Sequence, residues 1–307
     1  MKDDKIKFMK RGSLFILFFL IIFIALNNYY ILKTSPGYNL DYAFFGDSHV
    51  RDGLNPEFID NSFNFGNGEE NYIETYYKIK KIIDGGIKIN NFVLQLDPHT
   101  FSDKFRTNKE LSIEKGHYNK AIPLIDAKKI KPDNMAQFLK VNYPMIGHGR
   151  ELIAYSLNPQ DSNRIESGWT NNTEKFNLKD KTDVASKRYN YFFSKTPNLL
   201  DNTTIKYFLK IFDIAKHENI GIIFIKYPVT KEYNIEFIKH NISIEDYYSN
   251  LFKEINKTFT KYVILDYYDD FFENPEYFGD SDHLNSLGSR VLSKKVWKEI
   301  QNKNLKK

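Results

Sequence analysis

From Asp41 onward, short apolar segments alternate with longer segments of helical periodicity. That alternation restricts the fold more than any other feature of the chain. "DYAFFGDSH" reads as a short buried strand ending at Gly46. "NPEFIDNSFNFGNG" reads as a helical turn and a second strand ending at Gly66. "EENYIETYYKIKKIID", Glu69 to Asp84, places apolar residues at helical spacing and is closed by Gly85-Gly86. "NNFVLQLDPHTF" holds a strand over Phe92 to Leu96. Much later, "NTTIKYFLKIFDIAKHENI" is an amphipathic helix with Asn202 in the N-cap position. "GIIFIKYPVT" is a buried strand ended by Pro228, "SIEDYYSNLFKEINKTF" a helix, "KYVILDYY" a strand and "NSLGSRVLSKKVWKEIQNK" a closing helix. Strands alternating with helices predict an α/β fold, a parallel sheet flanked by helices on both faces. Between Phe101 and about Leu200 the alternation stops. This stretch reads as a mostly helical insertion, about 101–200, that covers part of the site or contacts a partner. Within it "NRIESGWTNNTEKFNLKDKTD" reads as an exposed polar loop.

The 307 residues, 41% hydrophobic and 16% aromatic, suffice for a large core. The absence of cysteine excludes a disulfide, a thiolate nucleophile and a thiolate metal site. The net charge of +5 arises from 44 basic and 39 acidic residues, well mixed, which gives no footprint for nucleic acid. The N-terminus is more telling. "MKDDKIKFMKRG" has five basic and two acidic residues and precedes "SLFILFFLIIFIALNNYYIL", Ser13 to Leu32. About 20 apolar residues span a hydrocarbon core, and a basic flank stays cytoplasmic. The rival, a cleaved signal peptide, has only Ala25-Leu26-Asn27 as a poor cleavage site. The expectation is a single-pass protein of the cell membrane: a cytoplasmic tail over 1–12, a transmembrane anchor over 13–32, and an extracytoplasmic domain over 33–307.

In parallel sheets ligands bind beyond the carboxyl ends of the strands. Ser48, Asn67, His99 and Tyr227 each stand at or just after such an end, and "GDSDHLN" follows the last strand. A serine nucleophile needs a base within reach, and the base needs an acid that fixes its tautomer. His283 can be the base, with Asp280 three residues earlier as the orienting acid. Asp282 is the competing acid, disfavoured because adjacent side chains diverge. The elbow pattern G-x-S-x-G does not fit, since Val50 stands where the second glycine belongs.

"GDSH" at Gly46 to His49, "FNFGNGEEN" after the second strand and "DSDH" near the C-terminus together resemble the SGNH (GDSL-like) hydrolase superfamily. The resemblance runs from about Asp41 to Gln301. It implies a three-layer, flavodoxin-like sheet, a triad of Ser48, Asp280 and His283, and an oxyanion hole from the Ser48 and Gly66 amides. The family's third block, Gly-x-Asn-Asp, is replaced by "LQLDPHTF", which leaves Asn67 or His99 as the third donor. With the anchor, the chain looks like the membrane-anchored SGNH-like proteins of cell-surface polysaccharide modification, the teichoic-acid D-alanyl transfer and alginate O-acetylation type. That likeness implies a serine O-acyl transferase or esterase acting on an extracytoplasmic polysaccharide without a cofactor. A transferase would take its acyl group from a multi-pass membrane acyltransferase. The alternative is a non-catalytic binding or assembly subunit that keeps the fold. A lipase near the bilayer would need a wide apolar entrance, which an insertion rich in Asn, Lys and Asp does not suggest. His148 and Arg150 read as loop residues of the insertion. His117, His217 and His240 lack ligand spacing, so no metal is expected.

Overall fold

A computed structural model describes residues 11–22, 25, 39–108, 168–176, 180–193 and 198–303. Five strands, β1 (Asn39–Phe45), β2 (Ser62–Asn64), β3 (Lys88–Gln95), β4 (Gly221–Lys226) and β5 (Tyr262–Asp266), form one sheet in the order β2-β1-β3-β4-β5. Every pairing is parallel, with Phe44 opposite both Asn64 and Val93, and Leu94 opposite Phe224. This is the doubly wound, flavodoxin-like order, whose topology reverses between β1 and β3.

Successive side chains of a strand point to opposite faces, so a sheet covered on both sides needs continuous apolar runs. Here Ala43, Phe45, Phe92, Leu94, Ile222 and Phe224 face one core. Helices α2 (Tyr72–Asp84), α5 (Asn202–His217) and α7 (Ile244–Asn256) complete it with Ile79, Phe208 and Leu251. Tyr42, Phe44, Val93, Ile223 and Ile225 face the other, closed by Val50 of α1 (Ser48–Gly53) and Leu292 and Val296 of α8 (Ser286–Asn302). A third cluster lies at the rim, where α4 (Lys181–Phe192) packs on α6 (Lys231–Lys239) through Tyr189, Tyr233 and Phe237. A short helix, α3 (Asp103–Asn108), adds Phe105 to it.

Several boundaries differ from expectation for local reasons. Strand β3 starts at Lys88, not Phe92, because its polar entry pairs with β1 through the backbone and Asn91 donates to Asp41 O at 3.1 Å. Helix α2 starts at Tyr72, not Glu69. Glu69 has φ +55°, and Asn71 with Glu74 forms a capping box. Asp201, not Asn202, caps α5 by accepting from Thr204 N–H.

The stretch expected to be an exposed polar loop is in part a buried strap. Trp169 and Phe176 are buried, and Trp169 Nε1 donates to Asp52 O at 3.0 Å. Thr170 N–H reaches Arg51 O, Ser286 N–H reaches Asn172 O, and Phe176 N–H reaches Phe278 O. Residues 168–176 thereby tie α1 to the loop after β5. Of the expected insertion, residues 109–167 (with His117, His148 and Arg150), 177–179 and 194–197 lie outside the described residues.

Residues 11–22 are helical, and the side chains from Leu14 to Ile22 are exposed. Among the described residues no helix is long and apolar enough to cross a membrane. Residues 23, 24 and 26–32 of the expected anchor lie outside them.

Phe208 is fully buried and packs on Tyr72, Phe101, Phe212 and Phe224. Phe208→Ala should therefore lower the unfolding free energy by about 3–5 kcal/mol, measured by chemical denaturation.

Candidate active site

The site lies beyond the carboxyl ends of β1 and β3, where the topology reverses. After β1 the chain turns at Gly46, which has φ +154°. A Cβ there would stand 2.4 Å from both Gln95 Oε1 and Val50 Cγ2. Only glycine lets the turn pass so close to β3. Asp47 then caps α1 by accepting from His49 N–H at 2.9 Å, and its own N–H donates to Gln95 Oε1 at 2.9 Å. Ser48 is thus fixed in the first turn of α1, and its own N–H has no partner among the described residues.

Ser48 Oγ lies 2.7 Å from His283 Nε2. His283 Nδ1 lies 2.8 Å from Asp280 Oδ2, and Asp280 Oδ1 accepts the backbone N–H groups of Asp282 and His283 at 3.0 and 2.8 Å. With Nδ1–H turned to Asp280, Nε2 presents its lone pair to the serine hydroxyl. The competing acid, Asp282, stands 3.5 Å from His283 Nδ1, beyond a hydrogen bond. Burial alone would lower the His283 pKa, but Asp280 and Asp282 outweigh it and raise it above the ordinary 6.5.

Beneath this row runs a second one. His49 Nδ1 donates to Asp97 Oδ2 at 2.6 Å, and its Nε2 donates to Asp282 Oδ2 at 3.2 Å. Asp97 is also held by Gln95 Nε2 at 2.6 Å and by Tyr227 N–H at 3.0 Å. Burial opposes charge on His49, yet Asp47, Asp282 and Asp97 raise its pKa well above the ordinary value. It is an imidazolium between two carboxylates. Asp282 also takes a bidentate contact from Arg188 of α4, Nε to Oδ1 at 2.8 Å and Nη2 to Oδ2 at 3.0 Å. Against its burial, Arg188, His283 and His49 hold the Asp282 carboxyl well below the usual range.

The expected oxyanion donors divide. The Gly66 N–H donates to Asn64 Oδ1 at 2.8 Å, while Asn64 Nδ2 binds Val50 O and Leu54 O, each at 2.7 Å. The Gly66 amide is therefore committed to Asn64, which differs from the expected role. His99 Nε2 lies 2.5 Å from Asp47 Oδ2, and its ring stacks on Phe192. That nitrogen too is engaged. Asn67 is different. Its backbone N–H donates to Gly46 O at 3.0 Å, which sets it beside the Ser48 turn. Both polar atoms of its buried side chain have no partner among the described residues. Lys78 of α2 secures this loop through Phe65 O at 2.6 Å and a contact with Glu70. A buried, unpaired amide is costly unless a ligand meets it.

Tyr227 ends β4 as expected and is buried near His49. His217 is exposed and pairs with Glu218, while His240 donates to Glu236 O. Donor atoms of Asp47, His49 and His99, and of His49, Asp282 and His283, lie within 4.8 Å of one another. These are the positions a metal ion could use, but each contact in them is already a carboxylate–imidazole pair or a neighbour of one.

Arg188 and Asp97 carry no motif in the sequence. For Asp97 the available signal was the departure in "LQLDPHTF", which marks that the third strand's end does something else here.

No protein-family model matches the chain, and no curated protein does. Among solved structures the chain is similar to one named "putative acylhydrolase" from Bacteroides fragilis, with 11% identity and a TM-score of 0.42, over 91% of this chain and 95% of that one. It is also similar to one named "putative platelet activating factor" from Streptococcus pneumonia, with 11% identity and a TM-score of 0.41, over 95% and 97%. At that level of likeness, activity has to be read from the side chains.

The raised His283 pKa sets a pH limit. Below it the ring is an imidazolium with no lone pair for Ser48, so reaction of Ser48 with a fluorophosphonate should rise with pH through a midpoint above 6.5. Asp280→Asn removes the strongest charge raising it. The midpoint should then move down, and the rate should fall by on the order of 10⁴-fold.

Proposed function

We propose that this chain is a serine-dependent O-acyl transferase or esterase of the SGNH type. Its substrate would be an O-acyl, in the first instance acetyl, ester on an extracytoplasmic cell-surface polysaccharide. The observation that carries the reading is the Ser48–His283–Asp280 row, with contacts of 2.7 and 2.8 Å.

In the reaction Ser48 Oγ bonds to the acyl carbon as its proton passes to His283 Nε2. The carbonyl oxygen becomes an oxyanion, and the Ser48 N–H and the Asn67 side-chain amide, both without a partner among the described residues, would receive it. The bond to the leaving alkoxide breaks, and the alkoxide takes the proton from His283. Acyl-Ser48 remains. Water then gives an esterase, whereas a sugar hydroxyl gives a transferase, with His283 again as the base. The run of exposed apolar side chains from Leu14 to Ile22, behind a basic flank, supports membrane attachment of the chain through residues 13–32. A transferase would then draw its acyl group from a multi-pass partner.

The decisive test is labelling by a serine-reactive fluorophosphonate, with Ser48→Ala as control. Labelling should be lost in the variant, and the wild type should cleave acetyl esters, faster with sugar acceptors if it is a transferase. A folded wild type that takes no label would favour the non-catalytic subunit. Asn67→Ala should lower turnover of a labelled-competent enzyme by about 10²–10³-fold in kcat, as loss of one oxyanion donor does, in steady-state ester hydrolysis.

A further inference from the structure

Two carboxylates compete for one imidazole nitrogen in this site. Asp280 Oδ2 is 2.8 Å and Asp282 Oδ1 3.5 Å from His283 Nδ1. Asp282 is the more deeply buried of the two, and unscreened it would attract the ring more strongly than Asp280. If Nδ1–H turned to Asp282, Nε2 would leave the serine. What prevents this is visible in the contacts of Asp282. Arg188 occupies Oδ1 through Nε and Oδ2 through Nη2, and His49 occupies Oδ2 as well. Both oxygens are taken, and by cations.

Arg188 comes from α4, in the stretch read from sequence as an insertion. Its guanidinium rests over the Phe192 ring at 4.4 Å, and α4 is fixed on α6 by Tyr189 against Phe237. Arg188 Nη2 also lies 3.4 Å from His283 Nε2, on the side that faces Ser48. The cation thus stands at both ends of the imidazole's problem. It occupies the wrong acid, and it disfavours a lasting positive charge on the base.

We infer that Arg188 is a positioning residue of the serine–histidine pair: it withholds Asp282 from His283, so that the ring keeps its Nδ1–H on Asp280 and its lone pair on Ser48. Competence of the site therefore requires α4 to be docked. The groups facing His283 are Asp280 and Asp282 on its own loop, Ser48 and His49 on α1, and Arg188 on α4. His49 is tied in turn to Asp97, and the buried Tyr233 of α6 lies beside the Arg188–Asp282 pair. Arg188 and His49 are the cations of that set, and of the two only Arg188 contacts both Asp282 and His283 Nε2.

This role rests on the serine-enzyme reading, so the test uses one readout that depends on activity and one that does not. The full chain and the variants R188Q, R188K, D282N and R188Q/D282N are compared by fluorophosphonate labelling against pH. The same proteins are compared by NMR titration of the His283 ring, assigned by loss of its signals in H283Q. In R188Q the maximal labelling rate should fall on the order of 10²-fold, the cost of a misplaced catalytic group, with the half-saturating probe concentration unchanged. The His283 midpoint should move to higher pH, since a cation is lost and an anion is released. R188K keeps the charge but not the two-point contact. It should titrate near wild type and label at an intermediate rate, and it decides the matter should R188Q not fold. In D282N, further loss of Arg188 should move the midpoint far less than it does with Asp282 present.

The inference is overturned if the midpoint stays put in folded R188Q, or if R188Q moves it equally with and without Asp282. A wild type that takes no label while His283 responds as described would reject the enzyme reading and retain the Arg188 role.

Discussion

The His49 imidazolium, held between Asp97 and Asp282, is the contact on which the rest of the site depends. Three segments far apart in sequence meet there: the turn after β1, the end of β3 and the loop after β5. All three side chains are buried, and a buried charge that loses its partner costs about 3–5 kcal/mol. The chain can therefore satisfy these groups only when β1 and β3 lie side by side and the C-terminal loop folds over them. The Ser48–His283–Asp280 row comes with that arrangement. Ser48 is the neighbour of His49, and His283 is the neighbour of Asp282. The two chain segments face each other like the uprights of a ladder, with Ser48–His283 as one rung at 2.7 Å and His49–Asp282 as the next at 3.2 Å.

The fold was legible wherever burial on both faces of a parallel sheet writes itself as an unbroken apolar run, as in "YAFF" and "IIFI". It was less legible where backbone pairing carries polar residues, as at Lys88 to Asn91, since nothing in their side chains announces a strand. That Ser48, Asp280 and His283 would meet could be read because they lie in segments that follow strand ends, and strand order puts those ends on one edge. Which of the candidate donors Ser48, Gly66, Asn67 and His99 stay unpaired could not be read, because an amide's availability depends on its local competitors. Asn64 lies two residues before Gly66 and takes its N–H, while Asn67, one residue on, has a side chain unpaired among the described residues. Arg188 was invisible for another reason. Its partner is 94 residues away, and the strap and α4 that deliver it have no strand to place them. Trp169 and Phe176 were the available hints that this stretch folds back onto the domain.

The division of labour between the two acids follows from their surroundings. Asp280 is partly exposed, its side chain 29% accessible, and one of its oxygens is fixed by the backbone of the loop it belongs to. Such a carboxylate can hold a tautomer without trapping a proton, because water screens it. Asp282 has no accessible side chain, and an unpaired charge there would bind the imidazolium too well to let it pass a proton on. Fully paired with Arg188 and His49, it instead serves as the fixed floor beneath the ring. The partly exposed acid is the one free to orient the base, and the buried one is safe only while both cations are in place.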